Sequence, residues 1–309
     1  MVLLQQMIAL LIFMITGYAM RRKGVFSPQT SRDISWLIVN VANPCLLLSG
    51  VFASEKPLTG ADMRITLLLC LYVYSILIAA SLALPVLLRV PKEERGVWRV
   101  MTAFSNIGFM GFPLLQVLFG PESLVYGSIF TIFFTLLVYT YGSGCLRKDV
   151  QKGPGAFKSA ARTLLLNVGT ISGILALIFA FRKPPVPLFV TSVVDRLGAV
   201  PTSLSMLVIG ASLTEIRLHE LFTDVRLLLF AAAKLIVIPL VSLLAIRPLL
   251  PDQLFLGVSM IMLSTPTASM VVMLAHQHDA AYVLASRGVA LTTILSVATM
   301  PLVSFLIGL

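Results

Sequence analysis

Apolar residues fall in long blocks along this chain, each separated from the next by a short polar connection. A helix needs about 20 apolar residues to cross the hydrocarbon core of a bilayer. Read at that length, the pattern predicts ten spans, at 2–20, 33–53, 65–88, 97–118, 123–146, 163–181, 190–213, 227–247, 253–275 and 281–307. The seventh begins beside Asp195-Arg196, expected to form a local interfacial pair, and Pro301 is a candidate break in the tenth. The expected fold class is an all-α membrane protein, because a helix satisfies its own backbone in lipid.

Two spans are interrupted at corresponding places. The fourth contains Ser105-Asn106-Ile107-Gly108-Phe109-Met110-Gly111-Phe112-Pro113, and the ninth Ser264-Thr265-Pro266-Thr267-Ala268-Ser269. Pro113 and Pro266 cannot donate a backbone hydrogen bond, and Gly108 and Gly111 let the chain leave helical angles. An unpaired backbone group in hydrocarbon costs several kcal/mol, so matched breaks point to the substrate site of a secondary transporter. Both breaks fall near mid-membrane at about 1.5 Å of rise per residue, and the two helices are expected to cross there.

The polar connections set orientation. The odd-numbered ones hold 16 Lys and Arg against 6 in the even-numbered ones. Positive loops stay in the cytoplasm, which puts both termini outside and the chain in the cytoplasmic (inner) membrane. The connection at 147–162 divides the spans into a first repeat, 1–146, and a second, 163–309. Five spans per half make the second repeat inverted. Asn43-Pro44 answers Val200-Pro201, Pro85 answers Pro239, and Pro113 answers Pro266. Inverted repeats are a common basis of alternating access.

Composition narrows the class. Of 309 residues, 58% are hydrophobic and 12% charged, and the mean hydropathy is +0.98. A soluble domain carries about 25% charged residues. The net charge of +10 belongs to the cytoplasmic loops of a membrane protein and does not imply nucleic acid. Cys45, Cys70 and Cys145 are isolated and read as small apolar packers. His276-Gln277-His278-Asp279 falls in a short connection and reads as a solvated loop, so no metal is expected. No phosphate-cradling loop is present, and neither a cofactor nor an enzymatic activity is expected.

The breaks also carry the candidate chemistry. Each new half-helix begins with free N–H groups and roughly half a positive charge, a ready site for a carboxylate. Asn106, Thr265, Thr267 and Ser269 supply neutral hydrogen bonds, and Asn40 and Asn43 in the second span are placed to line the same cavity. The competing reading is that these groups satisfy broken backbone or join helices. Lys234 is the one charge deep inside a well-defined span. It reads as a counter-charge, a proton-linked switch, a cation standing where sodium would bind, one half of a structural ion pair, or a donor to free carbonyls at a break.

At these residues the chain resembles the auxin efflux carrier family, which includes plant PIN carriers and bacterial malonate-type permeases. Asn106-Ile-Gly-Phe-Met-Gly-Phe-Pro113 is similar to the family's Asn-x-Gly-x-x-Gly-x-Pro signature, and Pro266-Thr267-Ala268 to its Pro-Thr-Ala region. Asn43-Pro44, Pro201 with Gly210-Ala211-Ser212-Leu213, and Lys234 through Pro239 fit as well. The resemblance implies two inverted five-helix repeats with two broken, crossing helices, as in sodium/proton antiporters and bile-acid symporters. It implies a scaffold from spans 1, 2, 6 and 7, a transport domain from spans 3–5 and 8–10, and a homodimer. The substrate it implies is a small organic anion moved by an elevator-like mechanism. The candidate substrate-binding set is Asn106, Gly108, Gly111, Phe112, Pro113, Thr265, Pro266, Thr267, Ala268, Ser269, Asn40 and Asn43, with Lys234 for coupling or crossover stability. Two alternatives stay open, a membrane carboxylate sensor that does not transport and a sodium-coupled organic acid symporter. The linker is shorter than the long cytoplasmic loop of many plant carriers, and Asn167 stands where many members have Asn-Pro.

Overall fold

The computed structural model describes residues 2–53, 58–146, 168–215, 218–250, 252–278 and 280–309. The linker 147–162 and Asn167 lie outside the described residues. The helices are α1 (Val2–Arg22), α2 (Pro28–Ala53), α3 (Gly60–Leu87), α4 (Arg95–Ala103), α5 (Ile107–Phe119), α6 (Ser123–Leu146) and α7 (Val168–Arg182). They continue with α8 (Leu188–Ser212), α9 (Leu218–Thr223), α10 (Val225–Leu249), α11 (Gln253–Ser264), α12 (Met270–Gln277) and α13 (Tyr282–Ile307). Among the described residues, six helices are long and apolar enough to cross a membrane: α2, α3, α6, α8, α10 and α13. Shorter apolar helices, α5, α7 and α11, accompany them. The protein is a multi-pass, all-helical membrane protein.

Five prolines inside these helices are accommodated in two ways. Helices α3 and α13 run through Pro85 and Pro301, so the candidate break at Pro301 is not one. Elsewhere a π-helical turn precedes the proline: Ile38–Ala42 before Pro44, Ile107–Gly111 before Pro113, and Ala233–Val237 before Pro239. A proline lacks the N–H and crowds the carbonyl four residues back, and the wider π turn shifts that register by one. Asp195 and Arg196, expected as a local pair, are exposed neighbours within Leu188–Gly198. Adjacent side chains on a helix do not face each other.

The chain divides into two compact units. The first holds Met1–Leu68, Ile107–Ile132 and Val168–Ile216, and the second Leu69–Asn106, Phe133–Asn167 and Arg217–Leu309. Spans three, four and five contribute to both. In the first unit α1 and α8 pack backbone to backbone through two glycines. A Cβ on Gly17 would stand 2.7 Å from the Leu207 carbonyl carbon, and one on Gly210 would stand 2.6 Å from that of Met14. Phe52 and Phe179 add an edge-to-face ring pair with centroids 5.4 Å apart.

The core of the second unit gathers around α4. Trp98 meets Phe230 edge to face at 5.5 Å, and Phe104 meets Phe134 in the same way at 5.5 Å. Tyr72 donates its hydroxyl to the Ser242 carbonyl at 2.9 Å, tying α3 to α10. Cys70 is buried, while Cys45 and Cys145 are half-buried, and all three are free thiols.

Candidate substrate site at a helix crossing

Spans four and nine are each broken by extended backbone. After α4 the chain opens at Phe104, with φ −111° and ψ 112°. After α11 it opens at Thr265, with φ −64° and ψ 147°. Pro266 explains the second opening, because a residue before proline is pushed out of the helical region and the proline donates nothing. The first opening has a different cause. Ser105 pairs antiparallel with Thr267. The Asn106 N–H donates to the Pro266 carbonyl at 2.7 Å, and the Ala268 N–H donates to the Phe104 carbonyl at 2.9 Å. Each broken segment satisfies backbone groups of the other, which answers the cost of unpaired polar backbone away from water.

The end of α4 leaves carbonyls with no helical partner. Lys234, fully buried in the π-helical turn of α10, donates Nζ to the Thr102 carbonyl at 2.8 Å and to Ser105 Oγ at 2.8 Å. Of the readings open from sequence, the geometry matches a donor to free carbonyls at a break. The ammonium also stands at the negative end of α4, where a cation is stabilised by the helix dipole. Thr267 Oγ1 donates to the Met101 carbonyl at 3.1 Å, and the Thr267 N–H donates to Thr292 Oγ1 at 3.1 Å. Thr292 in turn donates to the Gly288 carbonyl at 2.7 Å.

The second unit thus brings together Asn106, Thr265, Pro266, Thr267, Ala268 and Lys234, all buried. Ser269 follows them half-buried, before α12 begins. The hydroxyls of Ser264 and Thr265 are buried with no hydrogen-bond partner among the described residues. Gly108, Gly111, Phe112 and Pro113 belong to the first unit. There Asn43 donates Nδ2 to the Gly108 carbonyl at 3.3 Å. Asn40 donates its Nδ2 to the Trp36 carbonyl of its own helix at 2.9 Å. Gly111 to Pro113, expected to begin a half-helix, instead continue one: helix resumes at Ile107 through the π turn, which absorbs Pro113.

Sequence reading passed over Ser105 as a site residue, and also Thr102, Met101 and Thr292. Backbone carbonyls carry no residue signature, so Thr102 and Met101 leave no trace in sequence. Thr292-Thr293 in an apolar span was the one available signal.

Comparison with known proteins points to membrane transport. The family profile described as "Membrane transport protein" matches residues 2–153 and 156–304. An "Uncharacterized transporter" of Methanothermobacter thermautotrophicus is 24% identical over 301 residues, covering 96% of each chain. A protein of Rhizobium meliloti named "Putative malonate transporter" is 25% identical over 286 residues, covering 89% of this chain and 87% of the relative.

Proposed function

The chain belongs to the membrane transport protein family, that of the auxin efflux carriers, and from that membership we propose that it carries small organic anions, carboxylates first among them, across the cytoplasmic membrane by alternating access. The observation that carries the proposal is the antiparallel pairing of Ser105 with Thr267. Irregular backbone is tolerated in a membrane where it is buried in protein or lines a cavity, and broken helices in transporters form the substrate site. Asn106 is the proposed contact to the carboxylate, with Thr265 and Ser264 supplying hydroxyls, while Thr267 holds the crossing in shape through its bonds to the Met101 carbonyl and Thr292. The name of the Rhizobium meliloti relative supports a dicarboxylate such as malonate.

In this proposal Lys234 holds the crossing together by tying α10 to the end of α4. It also places a cation at the crossing, which favours transport without a bound sodium ion. The ten spans form two inverted repeats with both termini outside. Spans 1, 2, 6 and 7 act as scaffold and the crossing moves in an elevator-like step, and the protein is a homodimer. Support for the scaffold comes from α1, α2, α7 and α8, whose residues fall almost wholly in one compact unit.

A thermal-shift screen of dicarboxylates and aromatic acids, followed by titration of the best acid, tests the site. Asn106→Ala is expected to weaken binding by about tenfold or more, the loss of a hydrogen bond to a charged group. The backbone pairing stays in this variant, because the Asn106 N–H that donates to the Pro266 carbonyl is kept. Asn40→Ala is expected to bind as wild type. Full affinity in a folded Asn106→Ala protein removes Asn106 from the site.

A further inference from the structure

A second polar cluster lies in the second unit, beside α4 and before the crossing. Gly96 has no side chain, and a Cβ there would overlap the Cys145 carbonyl oxygen and stand 3.2 Å from its carbon. Helix α4 therefore meets the end of α6 at backbone contact. Arg99 follows Gly96 by three residues, which puts both on one face of α4. That face places Arg99 within electrostatic reach of the Cys145 thiol and the Tyr141 hydroxyl. Tyr141 belongs to the π-helical segment Val138–Gly142, and its hydroxyl is hydrogen bonded with Ser81 Oγ at 2.5 Å.

Arg99 is half-buried, and its Nε is buried with no hydrogen-bond partner among the described residues. A buried guanidinium N–H without an acceptor costs free energy comparable to a lost charged hydrogen bond. Among the described residues, no carboxylate is paired with Arg99. A guanidinium fork matches a carboxylate with two parallel hydrogen bonds. Ala103, where α4 ends, lies four residues on, about 6 Å along the helix.

We infer that the Arg99 guanidinium, flanked by Tyr141 and Cys145, forms an anion-binding station one step before the helix crossing. That its anion is the transported carboxylate rests on the function proposed above. The station holds the anion through the guanidinium while it waits for the crossing to open.

The test uses Cys145 as the reporter, in the full-length protein with Cys45→Ala and Cys70→Ala. Negatively and positively charged methanethiosulfonates of similar size are applied, and Cys145 modification is followed by mass spectrometry. The anionic reagent is expected to react faster, on the order of tenfold, because a local positive potential concentrates anions. Malonate should slow it. Arg99→Gln should abolish the preference, and Arg99→Lys should keep it, which separates charge from packing. Equal rates, a preference that survives in Arg99→Gln, or no modification by either reagent would each overturn the station. The readout needs no transport. Charge preference without protection by malonate would uphold the station and count against malonate as the carried anion.

Discussion

Lys234→Ala is expected to destabilise the protein by about 3 kcal/mol, read as earlier thermal unfolding in detergent, and to abolish transport. Two contributions add. The Thr102 carbonyl and the Ser105 hydroxyl lose their donor while staying buried, and each orphaned group costs about 1–3 kcal/mol. Deleting the four-carbon stem from a fully buried position also leaves a cavity. One contribution opposes them, since an ammonium no longer has to be desolvated. The loss wins because the acceptors belong to the end of a helix and cannot turn toward water. Lys234→Met separates the terms. It fills the space and removes only the donor, so its stability loss should be about half that of Lys234→Ala. Transport should fail in both variants, because the crossing loses the tie between α10 and α4. Wild-type transport by Lys234→Met would show that the lysine only fills space.

Gly210→Val is expected to cost about 3 kcal/mol, the upper end for forcing bulk into a packed contact. The added Cβ would meet backbone, with the Met14 carbonyl carbon at 2.6 Å. A side-chain neighbour could rotate away, but backbone cannot, so α1 has to move off α8. Gly17→Val meets Leu207 in the same way, with its carbonyl carbon at 2.7 Å. Once α1 has moved, the second substitution finds the space already open. The double variant should therefore lose less than the sum of the singles, as coupled neighbours do. Gly60→Val is the control, because nothing lies within 4 Å of a Cβ there. Thermal unfolding of the four variants checks all of this, and strict additivity would contradict the shared contact.

The two breaks differ in how far sequence announces them. Pro266 dictates its own break through a rule local to two residues, and the structure opens at Thr265. In the fourth span the glycine and proline rules point at Gly108 to Pro113, the later part of the interrupted stretch Ser105 to Pro113. Extended backbone occurs at Phe104 to Asn106, where no proline or glycine stands, because pairing with the ninth span imposes it. Pro113 meanwhile sits in continuous helix behind a π turn. A local signal thus found the right segment for the wrong reason. Lys234 was legible as a cation in oil, but its partners lie 132 and 129 residues away in sequence and only the fold brings them together. For Asn40, type and span suggest a cavity, and in the structure its Nδ2 donates to the Trp36 carbonyl of its own helix. Hydrogen bonding within a helix competes for every Asn, Ser and Thr in a span, and residue type alone does not reveal which partner wins.

The central claim is that the helix crossing passes a small carboxylate through the membrane. Counterflow in proteoliposomes tests it most directly, with unlabelled malonate inside and labelled malonate outside. The expected result is transient accumulation of label in vesicles holding the wild-type protein, and none in protein-free vesicles or those holding Lys234→Met. Saturable binding of malonate by the same wild-type vesicles with no exchange of label would contradict the account and favour a sensor.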